Sequence, residues 1–139
     1  MANLQEIQLL AHDKDIDIMC ISEAWLSPIT PDSHAYIPGY HLYRCDKGRG
    51  GGVCIYLKDC FTTKIITCDT ARPEGVEDIW VSVQYRKLPS IIVGCAYRHP
   101  KATQESFDYI NDVLKHFSLR NKPLLLFGDL NDDLLSNIN

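Results

Sequence analysis

Residues 124–133 read LLLFGDLNDD, and the fold turns on this stretch. An apolar run that follows Pro123 and stops at Gly128 is too short for a helix and describes a buried strand. Its end delivers Asp129 and Asn131 at the tip. Open α/β folds often present polar groups at strand ends in this way.

Working outward, the segment before this strand changes period. Phe107, Ile110, Leu114 and Phe117 fall on one helix face. Thr103 is placed to cap that helix, with Glu105 in its first turn and Lys115 in its last half. Further upstream the pattern is strand-like: TKIITC (63–68), EDIWVSVQY (77–85) and SIIVGCAY (90–97), the last two joined by RKLPS. YHLYRC (40–45) and VCIYLK (53–58) flank DKGRGGG (46–52), whose glycines permit the positive φ of a hairpin turn. SPITPDSHAYIPG (27–39) is loop. IDIMCIS (16–22) is a buried strand ending at Glu23, and Leu4, Ile7, Leu10 and Ala11 mark a helix over roughly 3–13. The order is helix, strand, a run of antiparallel-looking strands, helix, strand. That is α+β, sheet on sheet with helices outside.

The 139 residues suit one domain. No apolar run reaches membrane-spanning length, and the N-terminus lacks the basic and apolar regions of a signal peptide. The six cysteines have neither CxxC nor zinc-finger spacing, and most lie in strand-like runs, so free thiols in a reducing, intracellular setting are expected. Nucleus and cytoplasm are not distinguished. The net charge of -4 disfavours a protein that coats nucleic acid non-specifically. Its distribution is uneven: residues 44–101 carry ten Lys/Arg against six Asp/Glu, while both flanks are acidic. A mixed solvated surface explains this. An acidic metal site beside a phosphate-contacting face would explain it too.

Glu23 and Asp129 both stand at strand ends. Two such carboxylates meeting at one cleft could bind a hard divalent cation or activate water. Turn residues and helix caps have the same look, so spacing alone does not decide. An EF-hand loop beginning at Asp129 is excluded, because its sixth position is Leu134 rather than glycine and its twelfth falls past residue 139. GRGGG (48–52) lacks the Gly-Lys-Ser/Thr ending of a phosphate loop and precedes a strand. The histidines are scattered; His99 alone lies near candidate residues, and loop surface is its expected role.

Four segments in order are distinctive: DIDIMCISEAWL (15–26), GGGVCIYLK (50–58), CAYRHP (95–100) and LLLFGDLND (124–132). Together they resemble the endonuclease/exonuclease/phosphatase superfamily. They look most like the apurinic-endonuclease-like domain of non-LTR (LINE-type) retrotransposons. The resemblance implies a four-layer α/β/β/α sandwich of the DNase I type. It implies Mg2+- or Mn2+-dependent hydrolysis of phosphodiesters, with DNA as substrate and a reverse transcriptase domain in the parent element. Glu23 would be the metal ligand, and Asp129 would orient and activate the attacking water. Asn131 would hold that constellation and contact the phosphate. Tyr97 would hydrogen-bond the scissile phosphate, and Arg98 would contact phosphate beside it.

The chain departs from the family pattern at both ends. Members begin with a strand bearing an asparagine near the metal, whereas this chain opens with a helix, and Asn3 does not take that role. Members also continue past Gly-Asp-x-Asn to a second catalytic aspartate and a Ser-Asp-His segment, which are not found here. The expectation is therefore a partial, incomplete domain over 1–139, impaired as an enzyme and prone to self-associate through open sheet edges. The alternatives are a catalytically inactive descendant acting as a nucleic-acid-binding or protein-interaction module, and an unrelated α+β scaffold.

Overall fold

The computed structural model describes residues 4–47 and 50–132. Asn3, Gly48 and Arg49 of the expected glycine turn, and Asp133 to Asn139 lie outside the described residues. The chain forms α1 (Leu4–Asp13), β1 (Ile18–Ser22), a short 3-10 turn (Asp32–His34), β2 (Tyr40–Cys45) and β3 (Val53–Lys58). It continues through β4 (Phe61–Ile66), β5 (Val76–Tyr85), β6 (Ile91–Arg98), α2 (Gln104–Ser118) and β7 (Leu124–Asp129).

The strands form a three-stranded sheet in the order β1-β3-β2 and a four-stranded sheet in the order β4-β5-β6-β7. Every pairing is antiparallel except β6 with β7. A parallel pair needs a crossover, and α2 supplies it.

The two-residue period of β3 shows how the layers stack. Val53, Ile55 and Leu57 face Ile79, Val81, Val83, Val93 and Cys95 of the other sheet. Cys54 and Tyr56 turn the opposite way, into a cluster with Leu4, Ile7 and Ala11 of α1. On the far face of the second sheet, Trp80 and Ile92 pack against Tyr109, Ile110, Val113 and Phe117 of α2. The result is the expected four-layer α/β/β/α sandwich. A fully buried large apolar side chain is worth about 1.5–3 kcal/mol. A surface ion pair is worth about 0–1 kcal/mol. Five consecutive buried residues therefore make β3 a stronger anchor than any surface ion pair.

Two buried tyrosine hydroxyls are satisfied by backbone carbonyls distant in sequence. The Tyr56 hydroxyl donates to the Ala35 carbonyl at 2.6 Å. The Tyr40 hydroxyl lies 2.6 Å from the Ile16 carbonyl oxygen and 3.1 Å from that of Ala11, tying the end of α1 to the first sheet.

Three expectations are corrected. β1 is half-buried along its length, because among the described residues it is an edge strand. β4 starts and ends two residues earlier than 63–68, since Phe61 already pairs with Tyr85, and Cys68 falls outside it. β7 is not a buried strand. Leu124 and Leu126 pack beneath α2. Leu125 and Phe127 are 42% and 45% exposed at the sheet edge. β1 and β7 touch, so both edges lie on one side of the sandwich.

Candidate active site

β1 stops at Ser22, and the next residues take an unusual path. Glu23 (φ 52°) and Trp25 (φ 56°) are both left-handed, an uncommon conformation for non-glycine residues. The glycine turn holds them there. Ala24 N–H donates to the Gly52 carbonyl, and Trp25 N–H to that of Gly51, both at 3.0 Å. Gly52 itself has φ 82°, and a Cβ there would lie 3.1 Å from the Cys45 carbonyl oxygen. Only glycine brings this backbone close enough to support the Glu23 loop without strain.

Glu23 meets β6 across the sandwich. The Tyr97 hydroxyl donates to Glu23 Oε1 at 2.7 Å, between residues 74 positions apart. β7 adds the third element, since its parallel register sets Asp129 opposite Tyr97. Gly128, immediately before it, has φ 132°, and a Cβ there would fall 1.8 Å from the Ala96 carbonyl oxygen. The close approach that places Asp129 thus excludes every side chain at position 128. Asp129 Oδ1 accepts the backbone N–H of Asn131 at 2.9 Å, an Asx turn. Asn131 (φ 47°) then donates from Nδ2 to the Arg98 carbonyl at 2.7 Å. Glu23, Tyr97, Asp129 and Asn131, dispersed in sequence, are linked at one end of the sandwich.

Tyr97 is 3% exposed, and its phenol is pushed up to about 12. The hydrogen bond to Glu23 is the main cause, followed by burial and the charge of Glu23; Asn131 opposes and the charge of Asp129 adds. The hydroxyl is therefore a neutral donor at physiological pH.

Arg98 is engaged by groups of the chain itself. Its guanidinium lies 4.0 Å over the Phe107 ring. It donates to the Ala102 carbonyl at 2.7 Å, with longer contacts to Leu130 and Asn131 carbonyls at 3.4 and 3.5 Å. The side chain clamps the loop after β7 to the start of α2 and is turned away from solvent.

Two further residues belong to this end of the molecule. Glu77 pairs with Tyr97 in register and is 5% exposed. Its Oε1 accepts from Lys47 Nζ at 3.0 Å, while its buried Oε2 has no hydrogen-bond partner among the described residues. Strand alternation was a usable signal: Glu77 is in phase with Ile79, Val81 and Val83, which face the core. The Lys47 partner is not readable from spacing. Lys47 also lines a groove of about 420 Å³ with His99 and Lys101. His99, expected on loop surface, faces this groove, and its Nδ1 accepts the Lys101 N–H at 3.2 Å. Among the described residues no three His, Cys, Asp or Glu side chains cluster to hold a metal ion.

An α/β/β/α sandwich with acidic, phenolic and amide groups gathered where strands of both sheets end defines a DNase I-like class of protein. The chain belongs to the Endonuclease/Exonuclease/phosphatase family, which it matches over residues 2–137. An endonuclease/exonuclease/phosphatase family protein from Bacteroides thetaiotaomicron superposes with a TM-score of 0.68 at 18% identity, over 95% of this chain and 55% of that one. A truncated TDP2 from Caenorhabditis elegans gives 0.61 at 17%, over 94% and 55%. A functionally unknown conserved protein from Enterococcus faecalis V583 gives 0.63 at 15%, over 94% and 58%. The chain thus spans little more than half the length of these structures. No curated protein sequence matches it.

Proposed function

We propose that this chain is the divalent-metal-dependent phosphodiesterase portion of a DNA endonuclease of the LINE-type retrotransposon kind, a partial domain whose parent carries a reverse transcriptase. The observation that carries the reading is the bond from the Tyr97 hydroxyl to Glu23, with Asp129 set beside Tyr97 by the register of β7. Family membership supports the reaction class.

The donor set fits a hard cation held sparingly. Glu23 is exposed, and among the described residues only its Oε1 is engaged, by Tyr97. Magnesium commonly takes one or two carboxylates and completes its shell with water and substrate phosphate. Glu23 would hold it, and the ion would neutralise charge at the phosphoryl oxygens. The remaining work falls to the chain. Asp129 orients an attacking water and accepts its proton. Tyr97, kept protonated, donates to a phosphoryl oxygen when substrate displaces its bond to Glu23. Asn131, fixed by its bond to the Arg98 carbonyl, offers its second amide hydrogen to the phosphate. We assign Arg98 to holding the Asn131 loop, in place of the direct phosphate contact expected from sequence.

The test is nicking of supercoiled plasmid in magnesium by the chain and by Glu23→Ala and Asp129→Ala. Nicking that both variants abolish supports the reading; nicking that both retain overturns it. A second reading is a binding module without catalysis. Salt-dependent DNA binding with no cleavage would select it. Self-association through the adjacent edges of β1 and β7 belongs to either reading. No helix among the described residues is long and apolar enough to cross a membrane.

A further inference from the structure

Trp25 is 60% exposed, although its neighbours Ala24 and Leu26 are each 2% exposed. The chain is anchored on both sides of a projecting indole. The backbone beneath it is fixed by the bond from Trp25 N–H to the Gly51 carbonyl and by that from Ala24 to Gly52. Its left-handed φ of 56° is a conformation that costs an L-residue energy and persists only where surroundings impose it. Packing does not explain the expense, because most of the ring is in water. The second tryptophan, Trp80, shows what a packed indole looks like here: 5% exposed, its Nε1–H donating to Asp78 at 2.7 Å.

Glu23 of the candidate site is two residues from Trp25. Gly51, whose carbonyl holds Trp25, also lies against Lys47, since a Cβ there would meet Lys47 Cδ at 2.9 Å. Lys47, ion-paired with Glu77 at 3.0 Å, in turn borders a groove of mixed charge lined by His99 and Lys101 and by Glu74 and Glu105. Proteins hold single nucleic-acid strands on exposed aromatic faces that stack successive bases beside the groups that engage the phosphates. A tryptophan suits the task, with large contact area and few rotatable bonds to order on binding.

We propose that Trp25 is a stacking platform for an unpaired nucleobase next to the phosphate bound at Glu23 and Tyr97. The site would therefore take a locally unstacked strand. This rests on the phosphodiesterase reading and names its substrate more narrowly. A bare phosphate ester, or an intact duplex with every base stacked, would gain nothing from the indole.

The experiment measures binding of the full chain to a fluorescently labelled oligothymidylate and to an abasic oligonucleotide of equal length, with calcium in place of magnesium. Trp25→Ala is expected to weaken oligothymidylate binding about 5- to 150-fold, the range for loss of one base–aromatic stack. Trp25→Phe should recover most of that loss, and abasic binding should be the same for all three proteins. Trp80 emission reports that the variants remain folded. Unchanged oligothymidylate binding in Trp25→Ala overturns the proposal, as does an equal loss on the abasic strand or no oligothymidylate binding by the parent chain. The catalytic reading fails separately, when Glu23→Ala and Asp129→Ala leave plasmid nicking intact.

Discussion

Gly128→Ala isolates the contact that places Asp129. The added Cβ would lie 1.8 Å from the Ala96 carbonyl oxygen and 2.8 Å from its carbon. Both are backbone atoms of a buried central strand, so no rotamer relieves the clash; β7 must move away from β6. Forcing atoms into a packed site costs about 1–3 kcal/mol. Holding alanine at φ 132° adds about 1–3 kcal/mol more. The expected loss is thus about 2–6 kcal/mol, against a typical domain stability of about 5–15 kcal/mol. Gly39→Ala is the matched control: its φ is also positive, 83°, but nothing lies within 4 Å of the added carbon. It should lose only about 1–2 kcal/mol, for the left-handed backbone alone. Urea unfolding followed by the emission of Trp80, which packs on Phe117 of α2 at 5.0 Å, reads both. If Gly128→Ala unfolds at the same urea concentration as Gly39→Ala, the close approach of β6 and β7 is not what fixes Asp129.

The Tyr97 phenol titrates above its ordinary value of 10, so its neutral form is favoured by folding. That contribution is full below pH 10 and is lost as pH rises toward about 12, where the folded group ionises. The stability advantage of the parent chain over Tyr97→Phe should accordingly shrink across that window, as measured by urea unfolding at successive pH values; a constant advantage would mean the Glu23 bond does not set the titration. Among the cysteines, Cys60 is exposed while Cys54 and Cys95 are buried, and burial pushes the Cys54 thiol up to about 12. A thiol reagent should label Cys60 first, and Cys54 and Cys95 only as the chain unfolds; rapid labelling of Cys54 in the native chain would refute the buried face of β3.

The elements were legible where one physical pattern dominated. β2 and β3 match their sequence segments residue for residue, because a glycine turn joins two runs of β-propensity. α2 was legible from its apolar period, and Thr103 does precede it, though its side chain makes no capping hydrogen bond. β7 misled because four apolar residues look alike whether a strand is buried on both faces or lies at an edge; neighbours supply that distinction. Glu23 and Asp129 were visible as strand-end acids. The bond from Tyr97 to Glu23 was not, since it depends on how two sheets stack. Arg98 was legible as a cation near the site; the Phe107 ring and loop carbonyls that engage it were not.

The candidate site straddles parts of unequal permanence. Its Glu23 side rests on a loop braced by two backbone bonds to the glycine turn, and Tyr97 on a strand paired on both sides. Asp129 and Asn131 depend on β7, which among the described residues is paired on one side only, with Leu125 and Phe127 giving up much of their surface to water. Few buried contacts and one partner strand mark a segment that opens at less than the global unfolding free energy. In hydrogen exchange, the amides of β7 should therefore lose protection before those of β3 and β6. The constellation would then dissolve and reassemble from one edge while the sandwich beneath it stays folded, so anything that pairs with that edge also sets how often the four groups are together.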